Sequence, residues 1–162
     1  MESQTTTTTT TTHTTTVSLN VNYVTSPLGI LRICEMVLGL ICWAIVASLS
    51  WLNYSPPWQF VMFVAVTSWI TTVILFIIYV GAFHASICSG LPWAIIELLF
   101  NGFWAVFYFI AACVAAAYTA GWSLLVAATV FAWFTTICYV VHAAFAFKEY
   151  RGGSFSGSSV NT

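Results

Sequence analysis

Residues 91–119 read LPWAIIELLFNGFWAVFYFIAACVAAAYT, an apolar run interrupted by one carboxylate, Glu97, and one amide, Asn101. A helix needs roughly 20 apolar residues to cross a hydrocarbon core of about 30 Å, and this run exceeds that. Three more stretches repeat the pattern, at Gly29–Trp51, Phe60–Val80 and Trp122–Phe147. The chain is 60% hydrophobic, 17% aromatic and only 4% charged, with a mean hydropathy of +0.96. Within lipid every backbone N–H and C=O must find a partner inside the protein, so such stretches are expected to be helices. A transmembrane β-strand would need only about 10 residues of alternating polarity, which these runs lack. The expected fold is all-α: an integral membrane four-helix bundle, up-down-up-down, with short loops.

The organisation around the spans is simple. Residues 1–25 hold a threonine tract, Thr5–Thr12 and Thr14–Thr16. A segment of this composition has too little apolar area to offset the entropy of ordering it, so a disordered tail is expected. The membrane domain is expected over 26–151, and 152–162 is a flexible Gly/Ser-rich tail. No basic, short-cored signal peptide precedes the first span, which is expected to act as its own signal anchor. Pro56-Pro57 marks the second connection, Leu52–Gln59, as a helix-stopping pair. Trp51, Tyr54 and Trp58 beside it suit the headgroup level. Asn53-Tyr54-Ser55 is formally a glycosylation acceptor, though it is close to the membrane and followed by proline. Ala120-Gly121 supplies the connection between the last two spans.

Charge excludes several functions. The net charge is −1, and the basic residues are Arg32, Lys148 and Arg151. That is too few for a phosphate-binding stripe, so no nucleic-acid partner is expected. All three lie near the start of the first span or the end of the last. The positive-inside rule therefore places both termini in the cytosol, and an even number of spans requires that they share a side. Of the cysteines, Cys34, Cys42, Cys88, Cys113 and Cys138, none forms a CxxC pair, which argues against a disulfide framework or a thiol oxidoreductase. Cys88, in the Gly81–Gly90 connection, and Cys34 are candidate S-acylation sites. No triad, metal-ligand set or phosphate loop is present in the motifs, so no enzymatic role, metal or cofactor is expected.

The polar residues inside the spans are few and fall at one depth. Arg32 and Glu35 are in the first turns of span one, Glu97 and Asn101 in those of span three, and His142 near the end of span four. An ionised group in a membrane helix tends to face the bundle interior beside a partner. These five are expected to form a structural polar cluster in the cytosolic leaflet, a clasp that fixes helix packing, with Arg32 snorkelling to the headgroups. The competing reading makes Glu35 or Glu97 the working carboxylate of a small proton- or ion-coupled transporter or channel. Transport needs polar groups at several depths, and the outer half offers only hydroxyls, so the clasp is preferred. Small residues four apart, as at Ala44/Ser48, Ala111/Ala115, Ala112/Ala116 and Ala128/Ala132, permit close helix approach. Trp69, Trp104 and Trp133 are read as packing rather than as a ligand cage.

Ser26-Pro27-Leu28-Gly29-Ile30-Leu31-Arg32, continuing through Glu35-Met36-Val37-Leu38-Gly39-Leu40 to Trp43, resembles the opening of MARVEL-domain proteins. Trp58–Val66, the helix from Glu97 to Ala117, and Ala144-Phe145-Ala146-Phe147 before Lys148 and Arg151 are similar to the plasmolipin and chemokine-like-factor branches of that family. The resemblance covers about residues 26–151. It implies four spans, cytosolic termini and no catalysis. It further implies work in vesicle trafficking, membrane apposition or sorting into cholesterol-rich, raft-like membrane, at the plasma membrane or on endosomal and Golgi vesicles. The implied partners are membrane lipids and other transmembrane proteins, with a homo-oligomer as a further candidate.

Overall fold

The structure, a computed structural model, describes residues 20–49, 55–81 and 93–152. Five helices occur there: α1 (Val21–Val24), α2 (Pro27–Ala47), α3 (Pro56–Val80), α4 (Trp93–Ala117) and α5 (Ser123–Gly152). The last four are long and apolar enough to cross a membrane. No strand occurs among the described residues. The threonine tract, Asn53, Cys88, Pro92 and the tail beyond Gly152 lie outside the described residues.

The four long helices form a ring in chain order. α2 packs on α3 and α5, and α4 packs on α3 and α5. Short connections make sequential helices antiparallel neighbours, which gives the up-down-up-down bundle. The buried faces of α4 and α5 are rich in alanine: Ala111, Ala112, Ala115, Ala128 and Ala132 are all at most 1% exposed. Without bulky side chains the two backbones approach closely, the usual basis of helix association in lipid. Ala44 and Ser48 do not join this pattern; both are exposed, and Ser48 caps α2. The Trp69 indole donates to the Met36 carbonyl at 3.1 Å and ties α3 to α2. Trp104 is buried, whereas Trp133 lies at the surface edge-on to Phe109.

Helix ends differ from the sequence expectation, each for a local reason. Pro56-Pro57 starts α3 rather than stopping a helix. Proline lacks an N–H, but the first helical positions have no intrahelical acceptor for one, so the pair costs nothing there. α2 closes at Ala47, ahead of the expected Trp51. α5 runs past Phe147 to Gly152 and includes the basic residues. Arg151 sits in its last turn, favourable for the helix dipole, with its guanidinium 5.8 Å from the Phe147 ring. At 30 residues α5 is about 45 Å long, well over the hydrocarbon thickness. The α4–α5 turn falls at Ala120-Gly121, both with positive φ (47° and 78°).

One element was not foreseen. Residues 20–24, assigned by composition to the polar tail, close one end of the bundle as α1. Tyr23 is buried and stacks on Tyr79 at 4.9 Å, and Asn20 N–H donates to the Val80 carbonyl at 2.8 Å. Ser26 joins α1 to α2: its hydroxyl donates to the Tyr23 carbonyl at 2.6 Å and accepts from Gly29 N–H at 3.1 Å. Gly29 is what allows the chain to double back. A Cβ there would stand 2.0 Å from the Tyr23 carbonyl oxygen, a backbone atom held by the same turn. Gly29→Ala is therefore expected to expel α1, at a cost of about 1–3 kcal/mol as for other overpacked sites. Thermal melting in detergent should fall, and amide exchange across residues 20–24 should accelerate. Unchanged exchange at Tyr23 would refute this account of the glycine.

A buried polar clasp as the candidate functional site

α2, α4 and α5 each contribute to one polar cluster, and the structure brings together all five residues singled out by the sequence. Arg32 is at its centre. Its Nη1 donates to Glu35 Oε2 at 3.3 Å, one turn along α2, and to Asn101 Oδ1 on α4 at 3.0 Å. Its Nη2 pairs with Glu97 Oε2. Asn101 is itself braced: its Nδ2 donates to the Glu97 backbone carbonyl at 2.8 Å and to Glu97 Oε2 at 2.9 Å. His142 of α5 meets Glu35 Oε1 through Nδ1 at 2.7 Å, and its Nε2 lies 3.8 Å from Glu97 Oε2. The Arg32 guanidinium also lies 5.2 Å from the Phe100 ring.

Arg32 does not snorkel. It is 0% exposed, as are Asn101 and His142, and Glu35 and Glu97 are 1% exposed. The reason is the two carboxylates. A lone guanidinium in the interior would face a large desolvation penalty and would stretch toward water. Two anions and an amide oxygen within the bundle compensate it in place, and a planar fork of donors suits such multiple partners.

The periodicity explains why these side chains meet. Arg32, Glu35, Gly39, Cys42 and Val46 are the buried face of α2. Glu97, Asn101, Trp104 and Tyr108 begin the buried face of α4, and Ala146, His142 and Tyr139 end that of α5. Antiparallel packing brings the start of α2, the start of α4 and the end of α5 to one end of the bundle.

Several participants were missed by sequence reasoning. Tyr79 at the end of α3 and Tyr23 of α1 roof the cluster, with Trp93 edge-on to Tyr79 at 5.7 Å. Tyr23 faces the Arg32 guanidinium and both carboxylates; burial pushes its phenol up to about 12, so it stays neutral. One layer deeper, Thr72 and Tyr139 share a hydrogen bond of 2.8 Å, and the Tyr139 ring lies 5.5 Å from that of Tyr108. Beyond that layer the hydroxyls of Thr129, Thr135 and Thr136 bond back to carbonyls of their own helix, and Val61, Val64, Ala112, Ala128 and Leu125 fill the interior. Cys34 is half-buried on α2, while Cys88 lies outside the described residues. Among the described residues no group of three His, Cys, Asp or Glu is arranged to hold a metal ion.

Comparison with known proteins gives a consistent result. Residues 23–145 match the family model of MARVEL, the membrane-associating domain. The chain is 35% identical over 149 residues to plasmolipin of Homo sapiens, covering 86% of this chain and 81% of that protein. It is 34% identical over 135 residues to the CKLF-like MARVEL transmembrane domain-containing protein 8 of Mus musculus, covering 80% and 77%. It is 32% identical over 142 residues to MARVEL domain-containing protein 1 of Xenopus laevis, covering 83% and 82%. No solved structure matches the chain.

Proposed function

This chain belongs to the MARVEL family of multi-pass membrane proteins, and from that premise we propose that it is a non-enzymatic organiser of membrane. It recognises lipids and other membrane proteins laterally, within the bilayer, in trafficking, membrane apposition or the sorting of lipid domains. The observation that carries the reading is the clasp. Among the described residues the buried arginine, glutamates and histidine are engaged with one another at one end of the bundle, and not along a path. Outside, the spans present apolar side chains such as Phe63, Ile74, Leu99, Phe103, Phe134 and Ile137, each at least half exposed in the isolated chain. With connections as short as Ala120-Gly121, recognition rests on packing between helices and on lipid contact.

The termini are assigned to the cytosol. Arg32, Lys148 and Arg151 gather at the end where α2 begins and α5 finishes, which is the positive-inside pattern. The clasp then belongs to the cytosolic leaflet, and the plasma membrane and endosomal or Golgi vesicles are the compartments proposed. Cys34 and Cys88 are the positions proposed for S-acylation. Protease protection with a tag at either terminus tests the topology. Both tags are expected to be digested once the plasma membrane alone is permeabilised. Proximity labelling from the same tags should return membrane-trafficking or junctional neighbours. Protected tags would invert the topology, and labelling no richer than a control membrane protein would remove the organiser.

A further inference from the structure

At the end of the bundle away from the clasp is a cavity of about 370 Å³. Among the described residues it is lined by Ser55 and Trp58 from the start of α3, Tyr118 and Ala120 from the α4–α5 turn, and Trp122 and Leu125 from the start of α5. Trp58 and Leu125 make the floor, 2% and 1% exposed; Tyr118 and Trp122 make the rim, 55% and 58% exposed. The Trp58 indole donates to the Tyr118 carbonyl at 3.3 Å, which fixes the floor against the rim before anything binds. Its volume falls within the usual range of about 300–1,000 Å³ for small-molecule sites. We propose that this cavity is a binding site for the phosphocholine headgroup of a membrane lipid.

Three features select that chemistry. The first is charge. No Asp, Glu, Lys or Arg occurs between residues 36 and 96 or between 98 and 147, so this end of the protein has no fixed charge to balance a bound ion. An occupant must therefore be neutral or carry both charges itself, as a zwitterionic headgroup does. The second is the lining. A quaternary ammonium donates no N–H and is satisfied by aromatic side chains, and Trp58, Tyr118 and Trp122 are three of the residues that line the cavity. A primary ammonium carries three N–H donors that each need an acceptor, and this lining is mostly apolar. The Ser55 hydroxyl makes no capping bond to its own helix and can donate to the phosphate. The third is position. The cavity opens where α4 ends and α3 and α5 begin, the level at which tryptophan and tyrosine meet headgroups.

The assignment stands on the cavity and not on the partner-binding reading, and its test uses lipids alone. The full chain, purified in a choline-free detergent, would be offered equal amounts of phosphatidylcholine, phosphatidylethanolamine and phosphatidylglycerol with identical acyl chains. Retained lipid would be counted by native mass spectrometry. Phosphatidylcholine is expected to be preferred over phosphatidylethanolamine by about 2- to 30-fold, the span of cation–π contributions from exposed to desolvated sites. Trp122→Leu and Tyr118→Leu should each erode the preference, while Trp122→Phe retains most of it. Tyr118 is a rim residue whose backbone carbonyl, not its ring, holds Trp58, so circular dichroism and melting of Tyr118→Leu should be unchanged, while Trp122 is engaged in a further contact of its own and Trp122→Phe controls for its loss. Displacement by soluble phosphocholine would show that the headgroup suffices. A preference lost in the rim variants but resistant to soluble phosphocholine would show that the intact lipid is required. Equal retention of the three lipids, or a preference untouched by both leucine variants, overturns the proposal.

Discussion

Arg32→Met is expected to be the most damaging single substitution inside the bundle, lowering stability by about 3–5 kcal/mol, the usual cost of orphaning buried charge. Methionine fills similar volume and is at home in lipid, so the damage is not a packing defect. It comes from what is left behind. Glu35 and Glu97 are 1% exposed, and Arg32 supplies the cation between them. Without it the remaining cation candidate between the two carboxylates is His142, which reaches Glu35 at 2.7 Å and Glu97 at 3.8 Å, and the Asn101 amide still donates to Glu97 at 2.9 Å. Asn101 also loses the donor to its Oδ1. The bundle must then take up protons, admit water or separate α2 from α4. The variant should accumulate poorly in membranes, and in detergent its helices should melt earlier. Arg32→Lys should recover only part of the loss, because an ammonium cannot reproduce the fork that holds Asn101 and two carboxylates together. Melting of Arg32→Met within a degree or two of the parent would mean that the clasp adds nothing to stability.

How far the sequence disclosed this site depends on the contrast between a residue and its surroundings. Glu97 and Arg32 stand out in an apolar stretch because ionised groups there are costly and seek partners. Their depths could be counted from the helix starts, and the ring of antiparallel neighbours follows from the short connections. Tyr79, Tyr23 and Thr72 gave no such signal. Tyrosine and threonine are ordinary in membrane helices, and only the register of α3 shows that Tyr79 faces the cluster and Phe63 faces outward. Arg32 was misjudged for a different reason. Snorkelling is the expected behaviour of one long cation near a helix end, and burial becomes favourable only when three partners from two helices are in place. Gly29 is the clearest case of tertiary information. Nothing local demands glycine in the first turn of α2; the demand comes from Tyr23 lying over it. Pro56-Pro57 was ambiguous in principle, since the same missing N–H groups that end one helix are harmless at the start of the next.

Glu97→Leu is the second large effect expected, and it separates a clasp from a transport site. The substitution removes the carboxylate that pairs with Arg32 Nη2 and accepts from Asn101 Nδ2. It leaves a buried guanidinium with one anion, Glu35, and should cost about 3 kcal/mol, the lower end of the usual range because that anion remains. Combining it with Arg32→Met removes cation and anion together and leaves the Glu35–His142 pair in place. A clasp predicts that the double variant is more stable than the two single losses sum to, by a coupling of about 1–3 kcal/mol, since residues in one ion-pair network are not additive. It also predicts that the double variant, once folded, behaves as the parent in a proteoliposome flux assay. A transporter working through Glu97 predicts the reverse: Glu97→Gln, close to isosteric, abolishes flux while the fold survives. The interior argues for the first outcome. Below the Tyr108–Tyr139 layer, the hydroxyls of Thr129, Thr135 and Thr136 are turned back onto their own helix, and Val61, Ala112 and Leu125 fill the interior. An ion leaving Glu97 in that direction would meet about half a bilayer of alkyl groups with no partner for its charge. Additive losses in the cycle, together with flux that disappears in Glu97→Gln, would replace the clasp with a transport site.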